Sequence, residues 1–335
     1  MEYCSDDGIN VHGEFARVGQ VDAGTETTTK MRLRIDTTAA FNPDYQKGYR
    51  LQFYRAGPND GGTDIDDTME NYTGARIARV DGRETGPFGT RQWVTLTGIP
   101  RSTIVSAIKP LDFVVAEKFV NRDTTIVNCI FRDLVGRGII SRAPDTHIEG
   151  NTIGRTTISG LRLGPEFGVD TEAGYPSKSV IRNNNFYDIG LNSRATQSDQ
   201  HLLAAINICA GTTTKTGVAW RLGYRNMGTF LVEDNVIFGS VGSGLFLHGV
   251  YDVFAYNNEF HDVSQGINGS LGRLGEVYWM RSRPPYTRPN GNLVPRSAIL
   301  THDIYRLQGG GNINTSDMPN LQTTESSQAI SDSLF

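Results

Sequence analysis

The feature that most constrains this chain is a repeat of about 22 residues between Phe113 and Ser270. Five copies line up: Ile126-Val-Asn-Cys-Ile-Phe131, Ile148-Glu-Gly-Asn-Thr-Ile153, Ile181-Arg-Asn-Asn-Asn-Phe186, Val232-Glu-Asp-Asn-Val-Ile237 and Ala255-Tyr-Asn-Asn-Glu-Phe260. Each reads apolar, two variable residues, Asn (Cys in the first copy), variable, apolar. The fourth positions are Cys129, Asn151, Asn184, Asn235 and Asn258, spaced 22, 33, 51 and 23 residues apart. Several copies are followed by a Gly and a second apolar run: Gly138-Ile-Ile140, Gly160-Leu-Arg-Leu163 and Gly244-Leu-Phe-Leu247. A period near 22 with short β-type runs and no helix-length pattern is the mark of a solenoid. The expected fold is all-β: a right-handed parallel β-helix of the pectate-lyase-like kind. Stacked coils lie ~4.8 Å apart, so Ile126, Ile148, Ile181 and Val232 should form a ladder of like side chains. Asn at a bend tolerates unusual backbone and bonds to the neighbouring coil.

Residues 14–112 follow a different rule. Met31-Arg-Leu-Arg-Ile-Asp36, Tyr49-Arg-Leu-Gln-Phe-Tyr54, Ala75-Arg-Ile-Ala-Arg-Val80 and Trp93-Val-Thr-Leu-Thr97 alternate or nearly so. Such runs between Gly, Pro and Asp clusters predict antiparallel strands with one wet face, hence a small barrel or sandwich inserted into the solenoid. The expected division is a coil fragment over 1–13, the insertion over 14–112, coils with loop insertions over 113–307 and a flexible tail over 308–335.

Composition excludes several functions. Lys+Arg 32 against Asp+Glu 36 gives a net charge of −4, which argues against nucleic acid as a partner held by a broad basic surface. No run of 18 apolar residues predicts a membrane span, and the opening MEYCSDDGIN has neither part of a signal peptide. Cys4, Cys129 and Cys209 have no metal or redox spacing. No metal or cofactor is expected.

Three stretches can carry chemistry. In Ser5-Asp-Asp-Gly-Ile-Asn-Val-His-Gly13, Asp6 and Asp7 sit at a strand edge and point to different sides, with His12 further along. The loop from Gly164 to Pro176 lengthens one coil and holds Glu166, Asp170, Glu172 and Tyr175. Carboxylates beside aromatic rings suit a sugar site, with proton transfer from the acids and a ring for the apolar face of a pyranose. The long insertion between Asn184 and Asn235 adds Trp220 and Arg221 as candidate cleft residues.

The string Asp6-Asp-Gly-Ile-Asn-Val-His-Gly13, an inserted β domain and the Asn-Asn-x-Phe coils together resemble the β-helical α-1,3-galactosidases of glycoside hydrolase family 110. The similarity extends to Gly138–Asn151 and to the Gly164–Pro176 loop. It implies an exo-acting, inverting, metal-free enzyme that removes terminal α-linked galactose from glycans, located extracellularly or in the periplasm, with its acidic pair on Asp6 and Asp7. Members of that family have further β-helix ahead of the Asp-Asp string. The resemblance therefore implies a chain lacking N-terminal coils, truncated or inactive, with an open end through which copies associate. An inverting mechanism needs an acid and a base ~6.5–9.5 Å apart. Asp6 or Asp7 is expected as the base, Glu172 as the acid, and His12, Glu166, Asp170, Tyr175, Trp220 and Arg221 as substrate contacts. Two other readings stay open: a polysaccharide lyase on the same scaffold, and a non-catalytic carbohydrate-binding or adhesive β-helix.

Overall fold

The computed structural model describes residues 6–22, 31–36, 43–56, 65–66, 75–86, 89–98, 108–165, 172–191, 203–209, 212–214, 217–219, 227–248 and 251–263, together with short strands at 277–280, 286–287, 293–294, 299–302, 305–306 and 321–322. Among these residues there is no α-helix; 3₁₀ geometry occurs at Glu117–Phe119 and at Leu203. The expectation for the 308–335 tail falls almost wholly outside them.

Each repeat supplies one strand to each of three parallel sheets, which builds a β-helix-like stack. Sheet I runs Ile9–Val11, Ile139–Ser141, Leu161–Leu163, Ile206–Cys209, Leu245–His248 and Val277–Met280. Sheet II runs Thr125–Val127, His147–Glu149, Ser179–Arg182, Gly228–Glu233, Tyr251–Tyr256, Ile299–His302 and Leu321–Gln322. Sheet III runs Ile130–Leu134, Thr152–Thr156, Asn185–Ile189, Val236–Ser240, Glu259–Val263 and Tyr305–Arg306. The register stacks Ile126, Ile148, Ile181, Val232 and Ala255 in one row and Phe131, Ile153, Phe186, Ile237 and Phe260 in another. All are buried. These rows are the ladders the repeat predicts, because inward positions that recur at one spacing meet only their equivalents.

The corner between sheets II and III explains the repeated Asn. Its side chain bonds along the stack: Asn184 Oδ1 accepts from the Asn151 backbone N–H at 2.9 Å and from Asn151 Nδ2 at 3.0 Å, while Asn184 Nδ2 donates to the Ile148 carbonyl and to Asn235 Oδ1, each at 3.0 Å. Asn235 repeats the pattern with Asn258. The unusual backbone belongs to the residue before. Asn128, Gly150, Asn183, Asp234 and Asn257 have φ between 48° and 66°, the left-handed region that Gly, Asn and Asp tolerate best. Two neighbouring positions thus divide the labour, one turning the chain and the other satisfying buried backbone groups.

The insertion is a closed antiparallel barrel. Six strands pair in the order Arg50–Ala56, Ala75–Gly86, Gly89–Thr97, Met31–Asp36, Ala16–Asp22 and Phe113–Ala116, and the last pairs back onto the first. Ile65–Asp66 adds a short edge pair to Arg50–Ala56. Val18, Ile35, Tyr45, Leu51, Phe53, Ile77, Val94 and Leu96 fill the interior. Phe113–Ala116, read from sequence as the first coil strand, closes the barrel. Its four residues are all buried because alternate side chains serve two cores. Val114 and Ala116 face the barrel, while Phe113 and Val115, with Phe15 and Tyr54, join the apolar cluster of the coils. At the start of the stack Ile126, Phe131, Leu134 and Ile139 are buried, whereas Val127, Ile130 and Val135 stand out into solvent.

Candidate functional site

The junction of barrel and coils gathers two of the three sequence signals. Ile9–Val11 is the first rung of sheet I, with Asn10 opposite Ile140. The chain then forms Gly13–Glu14, which pairs antiparallel with Glu172–Ala173 in the loop of the lengthened coil. Gly13 permits this approach: a Cβ there would collide with the Phe119 carbonyl. Gly174, at φ +130°, likewise lets the loop pass over the Arg142 carbonyl.

Glu172 is the centre of the constellation. Its Oε1 accepts a hydrogen bond from Asn10 Nδ2 at 2.7 Å, and His12 Nε2 lies 3.7 Å from the same oxygen. Its Oε2 accepts from Arg142 Nε at 2.7 Å and also from Arg142 Nη2. Arg142 Nη1 donates to the Gly164 carbonyl. The Arg142 side chain has no exposed surface, and that of Glu172 is 12% exposed. A guanidinium buried to this degree requires an anion beside it, so Glu172 is held as a carboxylate. His12 Nδ1 lies 2.7 Å from the Gly13 carbonyl. With a carbonyl as partner, Nδ1 is the donor, and Nε2 is turned toward Glu172.

Asp6 and Asp7 lie at the other end of the strand. Asp7 Oδ1 accepts from the Arg137 backbone N–H at 2.6 Å, and its Oδ2 is 3.6 Å from Arg137 Nη1. Asp6 is exposed, and its Oδ1 accepts from the Asp7 N–H at 2.8 Å. The string therefore reaches Glu172 through Asn10 and His12, while the two aspartates hold the turn at Arg137. Tyr175 faces the barrel: its hydroxyl accepts from Gln52 Nε2 and its ring centroid is 6.5 Å from that of Tyr54. Burial pushes its phenol above the usual range. It pins the loop to the insertion. Glu166, Asp170, Trp220 and Arg221 lie outside the described residues.

Arg142 is the member that sequence reasoning did not single out; Asn10 was noted only as part of the Asp-Asp string. A lone arginine in Ile139-Ile-Ser-Arg-Ala-Pro144 was the available signal, since a cation in so apolar a run needs a distant carboxylate. A second charged row was also legible. The residue after the first apolar position is Glu149, Arg182 and Glu233 in the middle three repeats, and these stack on the outer face of sheet II. His147 Nε2 lies 2.6 Å from Glu149 Oε2, and Arg182 Nε 3.1 Å from Glu149 Oε1. The hydrogen bond to His147, then that to Arg182, holds the Glu149 carboxyl below the ordinary range. Partial burial, then Asp234, pushes Glu233 above it.

Comparison with known proteins adds little. No family model matches the chain, and no curated protein matches it. Among solved structures, an alginate lyase from Paenibacillus sp. str. FPU-7 aligns at a TM-score of 0.25 and 13% identity, over 60% of this chain and 72% of that one. No residue role is carried over from it.

Proposed function

We propose that the chain is a carbohydrate-active protein with a right-handed, pectate-lyase-like coil, and that it removes terminal α-linked galactose as an exo-acting, inverting glycosidase at the Asp6–Gly13/Glu172 junction. Right-handedness is the rule for β-crossover-β connections. The observation that carries the functional reading is the Asn10–Glu172 hydrogen bond, which joins an Asp-Asp string to an acidic loop 162 residues away. The separation of the carboxyl groups decides the outcome: ~6.5–9.5 Å leaves room for a water and inverts, whereas ~5–5.5 Å retains.

Of the two ways to assign the roles, we propose the one with Glu172 as base. Glu172 is committed to Arg142 as an anion and suits the base that activates water. Asp6, exposed and bonded along the string to the Asp7 N–H, suits the acid that protonates the leaving oxygen better than Asp7, which is paired with Arg137. His12 lies at the rim, where it can receive a sugar hydroxyl. A glycan substrate of this kind fits an extracellular or periplasmic protein.

The test is incubation with α-1,3-, α-1,4- and α-1,6-linked galactosides. Galactose should appear from the α-1,3 linkage, first as the β anomer by NMR. Asp6→Asn or Asp7→Asn should lower kcat by about 10²–10⁴-fold. No release from any linkage, or unchanged rates in both variants, overturns the reading. A second reading, β-elimination, draws on the imidazole: His12 Nε2 is a nitrogen base beside a fixed carboxylate. An unsaturated, UV-absorbing product from uronate polymers would select it.

A further inference from the structure

Among the described residues, six large apolar side chains stand out into solvent: Leu111, Val127, Ile130, Val135, Leu191 and Phe238. Four of them, Ile130, Val135, Leu191 and Phe238, lie in strands of sheet III or within two residues of their ends. The outer row of that sheet reads Arg132, Gly154, Tyr187, Phe238 and His261 on successive rungs. Phe238 is 52% exposed. The Tyr187 ring lies over the preceding rung, since a Cβ at Gly154 would collide with three of its ring carbons. The Arg155 guanidinium stands 5.8 Å from its centroid, and Phe238 lies 5.9 Å from the His261 ring. From Gly154 to His261 is three rungs, ~14 Å. Beside this row runs a mostly polar one, Ile130, Thr152, Asn185, Val236 and Glu259.

We propose that the outer face of sheet III is a binding platform for a neutral polysaccharide, with Tyr187 and Phe238 stacking on pyranose faces and Asn185, Glu259 and His261 bonding to hydroxyls. A ring laid along a sheet offers its broad side to a flat, weakly polar ligand, and sugar C–H faces meet that need. Charge selects within the class. The five strands from Ile130–Leu134 to Glu259–Val263 carry Arg132 and Arg155 against Asp133, Asp188, Glu259 and Asp262, two cations against four anions, which disfavours a uronate polymer or nucleic acid. A protein partner fits less well: interface cores are depleted of charge, whereas here Arg132 and Asp133 share the strand of Ile130, and Asp188 and Glu259 lie on the rungs either side of Phe238. The platform lies on a different sheet from Asn10 and Arg142 and does not depend on the hydrolase reading.

The experiment is affinity electrophoresis of the full chain in gels containing a neutral galactan, a neutral glucan or polygalacturonate, with sedimentation alongside. A neutral polymer should retard the wild type, and polygalacturonate should not. Phe238→Ala should weaken retardation about tenfold, and Phe238→Trp should retain it. Turnover of a small galactoside should be unchanged in both. The proposal falls if no neutral polymer binds, if Phe238→Ala binds like the wild type, or if that change only dissociates an oligomer. Binding without turnover removes the hydrolase reading alone; turnover without binding removes the platform alone.

Discussion

Arg142 is buried with no exposed side-chain surface, and Glu172, thirty residues further on, neutralises it. The pair stitches the loop strand Glu172–Ala173 to the end of sheet I. Breaking one half of a buried pair costs more than the pair contributes, because the other charge stays behind. Glu172→Gln should therefore lose about 3–5 kcal/mol in urea melts. The double variant Arg142→Met/Glu172→Gln should recover much of that loss. Additive losses would show that the two charges are not coupled. The double variant also separates stability from chemistry, since only there can a drop in activity be assigned to the missing carboxylate.

The Asn row predicts a graded response. Asn184→Ala removes four side-chain hydrogen bonds and leaves the buried Asn151 N–H without its acceptor. The expected loss is about 3–4 kcal/mol, read by chemical denaturation. Cys129 ends the row; its N–H donates to Asn151 Oδ1 at 2.9 Å, but its thiol cannot extend the amide chain. Cys129→Asn adds one donor toward Asn151 and should gain about 1 kcal/mol. A destabilised variant would mean that the row does not continue to this coil.

The row on sheet II makes a pH prediction of two signs. Glu233 has a raised carboxyl pKa because folding partly buries it. Its ionised form is a cost that appears as pH rises through the folded value and is absent below the unfolded value of about 4.3. Glu233→Gln should thus raise Tm at pH 7, with the gain vanishing near pH 4. Glu149 is shifted the other way by His147 and Arg182. Its stabilisation is present above the unfolded value and fades as pH falls through the lower folded one. Glu149→Gln should lower Tm at pH 7, and that loss should fade in acid. Both effects are modest because the groups stay partly exposed. Melts at pH 4 and 7 check both signs, and a Glu233→Gln gain that persists at pH 4 contradicts the assignment.

Gly154 links packing to the platform on sheet III. A methyl there occupies the space of the Tyr187 ring, and the ring, at the far end of its side chain, can swing away. Gly154→Ala should cost little stability but weaken polysaccharide binding. Tyr187→Ala should lower binding by a similar amount, and the two changes together should do no more than either alone, as expected for sites in contact. Affinity electrophoresis of the three variants checks this.

Much of the fold was legible because a stack of coils is close to one-dimensional. Equivalent side chains meet one another, so inward apolar rows and the Asn row must recur in the sequence, as Ile126, Ile148 and Ile181 do. The left-handed backbone was expected at the repeated Asn itself, whereas it belongs to the residue before, because the Asn side chain is taken up by bonds along the stack. Four barrel strands announced themselves by alternation; Ala16–Asp22 was not read as a strand, nor was Phe113–Ala116 read as part of the barrel. Packed on both faces, that strand reads as a continuous apolar run and was assigned to the coils.

Periodicity along the chain specifies the repeating cross-section, because short-range recurrence and local backbone tolerance suffice for it. Which distant groups meet is settled only in the folded molecule. Gly13–Glu14 pairs with Glu172–Ala173, Arg142 finds Glu172, and Tyr175 turns to Gln52 in the barrel rather than into a cleft. Those partners depend on how an inserted domain docks against a coil across a hundred residues or more. No periodicity along the chain records that docking, because each contact is made once.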